Sequence, residues 1–140
     1  GEKFSLRLNM SKAINHCGQL SWYDFKKGKQ KAKPEMFGDI ILARKDIPTS
    51  YNLSVVVDDY KQGISRVTRG LDLFPSTHIH RILQSLLGYP APEYCHHRLI
   101  TDDRGIRLSK RNNSTTLKSL REAGKTPNQV LNLLSPLNEL

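Results

Sequence analysis

The chain lacks any run of about 18 or more apolar residues, which excludes a membrane-spanning helix. Its first residues, Gly1 to Arg7, lack the long apolar core of a secretory signal, so the cytoplasm is the expected compartment. Cysteine is scarce: Cys17 and Cys95 stand far apart, match no Cys-x-x-Cys pattern, and imply neither a disulfide framework nor a zinc site. No internal repeat or low-complexity tract occurs. Acid is also scarce. Thirteen Asp and Glu stand against 22 Lys and Arg, a formal charge of +9 over 140 residues. Such an excess favours an anionic partner such as RNA, DNA or a nucleotide; the bland alternative is a merely soluble basic protein.

What is present patterns as α/β. Apolar residues make up 37% of the chain, in keeping with a soluble domain that buries a core. Phe4, Leu6 and Leu8 alternate with polar residues as in a half-buried strand, and Leu20 to Phe25 is a second strand candidate. Ile40-Ile41-Leu42 reads as a short buried strand. Tyr51 to Tyr60 is ambiguous. Val55-Val56-Val57 favours a strand, whereas Ser50 as a cap, Gly63 as a stop and the length favour a helix. Ile64 to Thr68 reads as a strand ending at Gly70. Ile79, Ile82, Leu83, Leu86 and Leu87 share one helical face, with Ser76 or Thr77 as cap and Gly88 as stop. Tyr94 to Ile100 reads as a strand, Asp102 to Gly105 as a turn, and the tail as two short helices around 114–123 and 127–134, the second capped by Thr126. Helix, strand, helix, strand and loop in this order predict an α/β layer with parallel strands, preceded by a different, β-rich lobe.

Two basic clusters stand out. Lys26, Lys27, Lys29, Lys31 and Lys33 crowd into eight residues around Gly28. They read either as a solvated hairpin tip or as contacts to RNA phosphate. Arg107-Leu108-Ser109-Lys110-Arg111 sets three cations within five residues directly after a turn. A loop of this kind can wrap a polyphosphate, with Lys110 as a compact charge and the arginines as forks. The histidines do not gather: on a helix His78 and His80 point to different faces, and on a strand His96 and His97 point to opposite sides, so no metal site is expected.

The second cluster resembles the lysine loop of class I aminoacyl-tRNA synthetases, and its setting resembles the glutamyl group of that family. The resemblance rests on Gly38 to Leu42, Tyr51 to Asp59, Gln62-Gly63-Ile64, Arg69 to Leu73, and Leu86 to Pro92 followed by Tyr94 and His96. It covers residues 38–113 well and 4–37 loosely. Within the group the chain looks most like the glutamyl-Q tRNA(Asp) branch, from Val55 to Asp59, Asp72-Leu73 and Asn112. The resemblance implies the second half of a Rossmann-like nucleotide-binding fold, divided as 1–46 (end of a connective β lobe that binds the acceptor), 47–113 (catalytic half with the lysine loop) and 114–140 (start of a helical stem-contact region).

By the same resemblance, Tyr51 and Arg69 bind L-glutamate, Lys110 and Arg107 are the catalytic cations, and Arg107, Leu108, Ser109, Lys110 and Arg111 hold ATP with its Mg2+. The implied reaction is glutamate activation by ATP and transfer to queuosine of tRNA(Asp). The rivals are an ordinary glutamyl-tRNA synthetase and a non-catalytic tRNA-binding module. From the residues alone, Arg69 reads first as a structural ion-pair partner of Asp58, Asp59 or Asp72, and only the resemblance favours the pocket role. Departures from the family pattern are Arg107 in place of a lysine and Ile47-Pro48 in place of a glycine turn. The family's His-x-Gly-His-like turn and its cysteine-rich zinc segment do not occur in this sequence. The chain is therefore expected to be a piece of a longer enzyme, inactive by itself, and prone to dimerise through an exposed sheet edge.

Overall fold

The computed structural model of the protein describes residues 4–101, 105, 107, 108 and 115–133. The chain divides into two compact units, Gly1–His96 and His97–Leu140.

In the first unit β1 (Leu6–Leu8) pairs antiparallel with β4 (Ile40–Ala43). Between them runs α1 (Met10–Cys17), a helix that the reading of this stretch as β does not anticipate. Its signal is present. Met10, Ala13, Ile14 and Cys17 fall at helical spacing and face the core, and the side chain of Asn9 accepts from the Lys12 N–H at 2.9 Å as an N-cap. Asp39 supports the same end by accepting from the Met10 N–H at 2.9 Å, a carboxylate at a positive helix terminus.

The second sheet has the order β3-β2-β6-β5, with β2 Ser21–Asp24, β3 Gly28–Lys31, β5 Arg66–Gly70 and β6 Glu93–His97. β2 and β3 form an antiparallel hairpin, and β2 lies parallel to β6, with Asp24 opposite Tyr94. The lysine run is therefore more than a tip. Lys26 and Lys27 lie in the turn, whereas Lys29 and Lys31 lie on β3, opposite Tyr23 and Ser21.

The ambiguous segment is α2 (Tyr51–Lys61). The Ser50 side chain caps it by accepting from the Leu53 N–H, and Gly63 follows at φ 66°. The valines are accommodated because Val56 faces the core, where tertiary packing outweighs their strand propensity. α3 (Ser76–Leu86) presents the expected apolar stripe. Its N-cap, however, is Pro75; Thr77 sits inside the first turn with its hydroxyl committed elsewhere. β5 begins two residues later than expected and ends at Gly70.

Two apolar clusters hold the unit together. One joins Met10, Ala13, Ile40, Val56, Ile79, Ile82 and Leu83. The other sets Trp22, Ala32 and Tyr94 against Leu20, Val67 and Phe74. Each fully buried aliphatic side chain contributes about 1.5–3 kcal/mol.

In the second unit Thr101 and Arg107 form an antiparallel bridge, and the Leu108 N–H donates to the Ile100 carbonyl at 3.0 Å. α4 (Leu117–Glu122) opens with a reciprocal capping box between Thr116 and Ser119. α5 (Pro127–Leu133) opens with a second one, in which the Thr126 hydroxyl accepts from the Gln129 N–H at 3.3 Å and the Gln129 side chain accepts from the Thr126 N–H at 2.9 Å. Ser109, Lys110 and Arg111 lie outside the described residues, as do Asp102, Asp103 and Arg104 of the expected turn. No helix among the described residues is long and apolar enough to cross a membrane.

Candidate functional site

The first unit holds a chain of buried polar groups that converges on Arg69. This residue is next to last in β5, directly before Gly70, and is 9% exposed. Its Nε donates to His96 Nε2 at 3.1 Å, Nη1 to His80 Nδ1 at 3.1 Å, and Nη2 to Thr77 Oγ1 at 2.5 Å. The guanidinium also lies 5.1 Å from the centre of the Tyr94 ring, within cation–π range.

None of these partners is a carboxylate. The ion pair that Asp58, Asp59 or Asp72 could have offered is not the arrangement found; of the three, Asp59 is the one whose field bears on the guanidinium. Burial pushes the Arg69 pKa down, against the opposing pull of Tyr94, Tyr51 and Asp59. Burial likewise raises the Asp59 carboxyl above its ordinary value, against the opposing pull of Arg69.

The partners of Arg69 are fixed in turn. His80 is 2% exposed, and its Nε2 donates to Asn52 Oδ1 at 3.0 Å, leaving Nδ1 as the acceptor for Arg69. Burial, then the charges of Arg69 and His96, hold its pKa down to about 3, so the ring is neutral. His96 Nδ1 donates to Asp24 Oδ2 at 2.6 Å, with both side chains 0% exposed. Burial pushes the His96 pKa down, against the pull of Asp24. Burial works to raise the Asp24 pKa, but the His96 bond and the backbone N–H groups of Lys26 and Lys27 outweigh it and hold the carboxyl below its usual range.

Tyr51 opens α2 and is 57% exposed, its ring 6.1 Å from that of His80. Its hydroxyl bears on Arg69 electrostatically, without a hydrogen bond of ordinary length between them. The two side chains expected to bind glutamate therefore lie on either side of the same histidine, His80. Tyr51 and Asn52 also border an open cleft of about 560 Å³, with Arg7 and Arg44 on its wall. A cation recessed among neutral groups beside an exposed phenol is suited to receive an anionic ligand group.

Asp24, Asn52, Thr77, His80 and His96 are site residues that the sequence reading missed. One signal was available for Asp24: alternation along Ser21-Trp22-Tyr23-Asp24 places an acid on the face of a buried tryptophan, where it demands a partner.

Of the lysine loop, Arg107 and Leu108 are described, at the chain reversal that begins at Ile100. An arginine there fits a phosphate oxygen chemically. All five lysines of the earlier run are exposed. Lys29 and Lys31 project from one face of β3 with Tyr23, 47% exposed, opposite Lys29. Lys27 Nζ lies 5.7 Å from the centre of the Phe74 ring. Among the described residues no cluster of His, Cys, Asp and Glu is arranged to hold a metal ion.

Comparison with known proteins gives a consistent assignment. The family model for the catalytic domain of class I tRNA synthetases (E and Q) matches residues 1–137. The chain is 45% identical over 134 residues to the glutamyl-Q tRNA(Asp) synthetase of Rhodobacter capsulatus, covering 93% of this chain and 48% of that protein. It is 48% identical over 97 residues to the glutamyl-Q tRNA(Asp) synthetase of Nocardia farcinica, covering 69% and 31%. It is 38% identical over 120 residues to glutamate–tRNA ligase 2 of Syntrophus aciditrophicus, covering 86% and 25%. Among solved structures, the glutamate-tRNA synthetase of Elizabethkingia anophelis superposes with a TM-score of 0.58 at 30% identity, over 68% of this chain and 19% of that one. The chain thus spans about half, or less, of the length of these relatives.

Proposed function

The chain belongs to the class I tRNA synthetase (E and Q) catalytic-domain family, and on that premise we propose that the protein carrying it is an ATP-dependent ligase that activates glutamate and transfers it to the queuosine base of tRNA(Asp). The observation that carries the glutamate part is Arg69, a recessed guanidinium whose hydrogen-bond partners are all uncharged. A buried cation without a counter-ion is costly, and a substrate carboxylate would lower that cost. Its planar fork selects a carboxylate over an amide, whose N–H groups would face donors. Tyr51 completes the pocket from the exposed side.

In this reading the α-carboxylate of glutamate attacks the α-phosphate of ATP and pyrophosphate leaves. Lys110 and Arg107, with Ser109, Leu108 and Arg111 of the same loop, hold the phosphates, and magnesium accompanies the ATP. Cations that meet the leaving group's growing charge lower the barrier more than they tighten ground-state binding. Lys26, Lys27, Lys29, Lys31 and Lys33 take RNA phosphates. The compartment is the cytoplasm.

The 45% and 48% identities to two glutamyl-Q tRNA(Asp) synthetases support queuosine as the acceptor. A second reading, transfer to the tRNA 3′ end, has the 38% identity to a glutamate–tRNA ligase in its favour. Glutamate-dependent ATP–pyrophosphate exchange by the full-length protein, wild type against Arg69→Ala and Lys110→Ala, tests activation. Both variants should lose exchange, and wild-type rates in both would refute the assignment. Charging of queuosine-containing tRNA(Asp) against tRNA(Glu) separates the acceptors.

A further inference from the structure

An arginine side chain has many rotamers, and holding it at one angle without an adjacent carboxylate requires another device. We propose that Asp24 and His96 form a positioning pair that aims Arg69 at the substrate's side-chain carboxylate; this rests on the reading of Arg69 as the carboxylate-binding group.

The two oxygens of Asp24 are divided. Oδ1 accepts from the backbone N–H groups of Lys26 and Lys27, each at 3.0 Å, which leaves Oδ2 for His96 Nδ1 at 2.6 Å. A carboxylate only accepts, so the His96 proton sits on Nδ1 and the Nε2 lone pair faces Arg69 Nε at 3.1 Å. The other neutral tautomer would set an N–H of the ring against the N–H of the guanidinium. A carboxylate 72 positions before His96 thereby decides whether the ring holds or repels Arg69.

The consequence for the ligand follows from counting donors. A guanidinium carries five N–H groups. His96, His80 and Thr77 each engage one, through Nε, Nη1 and Nη2 respectively. One N–H then remains on each terminal nitrogen, the pair needed for a two-bond fork to a carboxylate. If the ring released Nε, the guanidinium could turn and the fork would lose its aim.

A purely structural role is the rival account, since Asp24 also sits where β2 joins β6. That role predicts a loss of stability with all kinetic constants moving together. Positioning predicts a change confined to glutamate. Asp24→Asn in the full-length protein separates the two. The carbonyl of the new amide must face the two backbone N–H groups, so its N–H group meets His96 Nδ1 and the ring switches to the repelling tautomer. In ATP–pyrophosphate exchange, KM for glutamate should rise by about tenfold or more, while KM for ATP stays unchanged. Nitrogen NMR of the imidazole should find the proton on Nδ1 of His96 in the wild type and on Nε2 in Asp24→Asn.

His96→Gln supplies the same donor to Asp24 and the same acceptor to Arg69, and should keep a low glutamate KM. His96→Leu supplies neither and should raise it. This pair decides the matter even where Asp24→Asn does not fold. A wild-type proton on Nε2, or a wild-type glutamate KM in Asp24→Asn or His96→Leu, overturns the positioning role while Arg69→Ala still abolishes the glutamate response. An Arg69→Ala variant that keeps that response overturns the glutamate reading itself.

Discussion

Acid should unfold this protein in part through one histidine, and replacing it should remove a measurable share of the pH dependence. His80 is buried with neutral Asn52 on one ring nitrogen and the Arg69 guanidinium on the other. Burial, reinforced by the charges of Arg69 and His96, takes its pKa from 6.5 down to about 3. Above 6.5 the ring is neutral in both folded and unfolded chains, and the stabilising contribution is complete. Between 6.5 and about 3 only the unfolded chain takes up the proton, so stability falls as pH falls. Below about 3 both forms are protonated and nothing further is lost.

The slope in that window is about 1.4 kcal/mol for each pH unit, and the whole window amounts to about 5 kcal/mol. His80→Gln retains an acceptor for Arg69 and a donor for Asn52 but does not titrate. His96 and His78 are also held below their ordinary values, by burial first, and add their own acid sensitivity to both proteins. The quantity to measure is therefore the difference between the two unfolding free energies, from urea midpoints taken between about pH 7 and pH 4.5. That difference should narrow by about 1.4 kcal/mol per pH unit on acidification. A difference that stays flat across the series would refute the argument that His80 is kept neutral by its burial beside Arg69.

Further expectations concern the site and its surroundings. Arg69→Lys keeps a charge but loses the fork and the bond from Nε, and glutamate KM in exchange should rise by about 30- to 150-fold, the cost of roughly 2–3 kcal/mol of charge-assisted bonding. Saturating glutamate should raise the melting temperature of the wild type, by about 2.7 kcal/mol of added stability at a hundred times Kd, while glutamine at the same concentration should not. Lys29→Glu with Lys31→Glu should weaken tRNA binding and flatten its salt dependence, with glutamate activation intact; an unchanged salt slope would remove the outer face of β3 from the RNA surface. Trp22→Ala should cost about 3–5 kcal/mol of stability, because the ring is 3% exposed and packs edge-on against Phe74 and Tyr94; chemical denaturation measures it.

The sequence makes some of this legible and hides the rest for identifiable reasons. α3 is readable because its apolar stripe, Ile79, Ile82, Leu83 and Leu86, faces a single core. α2 is readable from its ends, Ser50 and Gly63, and misleading in its middle, where three valines argue for a strand. α1 is hidden by its neighbourhood: its stripe of Met10, Ala13, Ile14 and Cys17 is short and follows a clear strand pattern. The tail caps at Thr116 and Thr126 are local signals and can be read locally. Arg69 and Tyr51 were reachable through the family resemblance, and the structure sets them on either side of His80. Their supporting groups were not reachable. The bonds from Arg69 to Thr77, His80 and His96 span 8, 11 and 27 residues, and the bond from His96 to Asp24 spans 72. Partners at such separations follow from sheet order, and above all from the parallel pairing of β2 with β6, which local periodicity does not encode.

The same network bears on why the core carries polar groups at all. Asp24, Arg69, Thr77, His80 and His96 are all buried, and all belong to one connected set. Apolar side chains of similar volume would commonly stabilise a fold as well or better, because each buried charge must repay its desolvation. A set built only for stability would also close on itself: the Asp24 carboxylate would sit against the guanidinium and neutralise it. Here a neutral imidazole separates the two charges. Asp24 commits its acceptors to His96 and to two backbone N–H groups, and Arg69 meets only neutral acceptors. The cation is thereby oriented without being neutralised. A fold gains nothing from leaving a recessed charge in that condition, whereas a pocket that must bind a carboxylate and refuse an amide gains its selectivity from it.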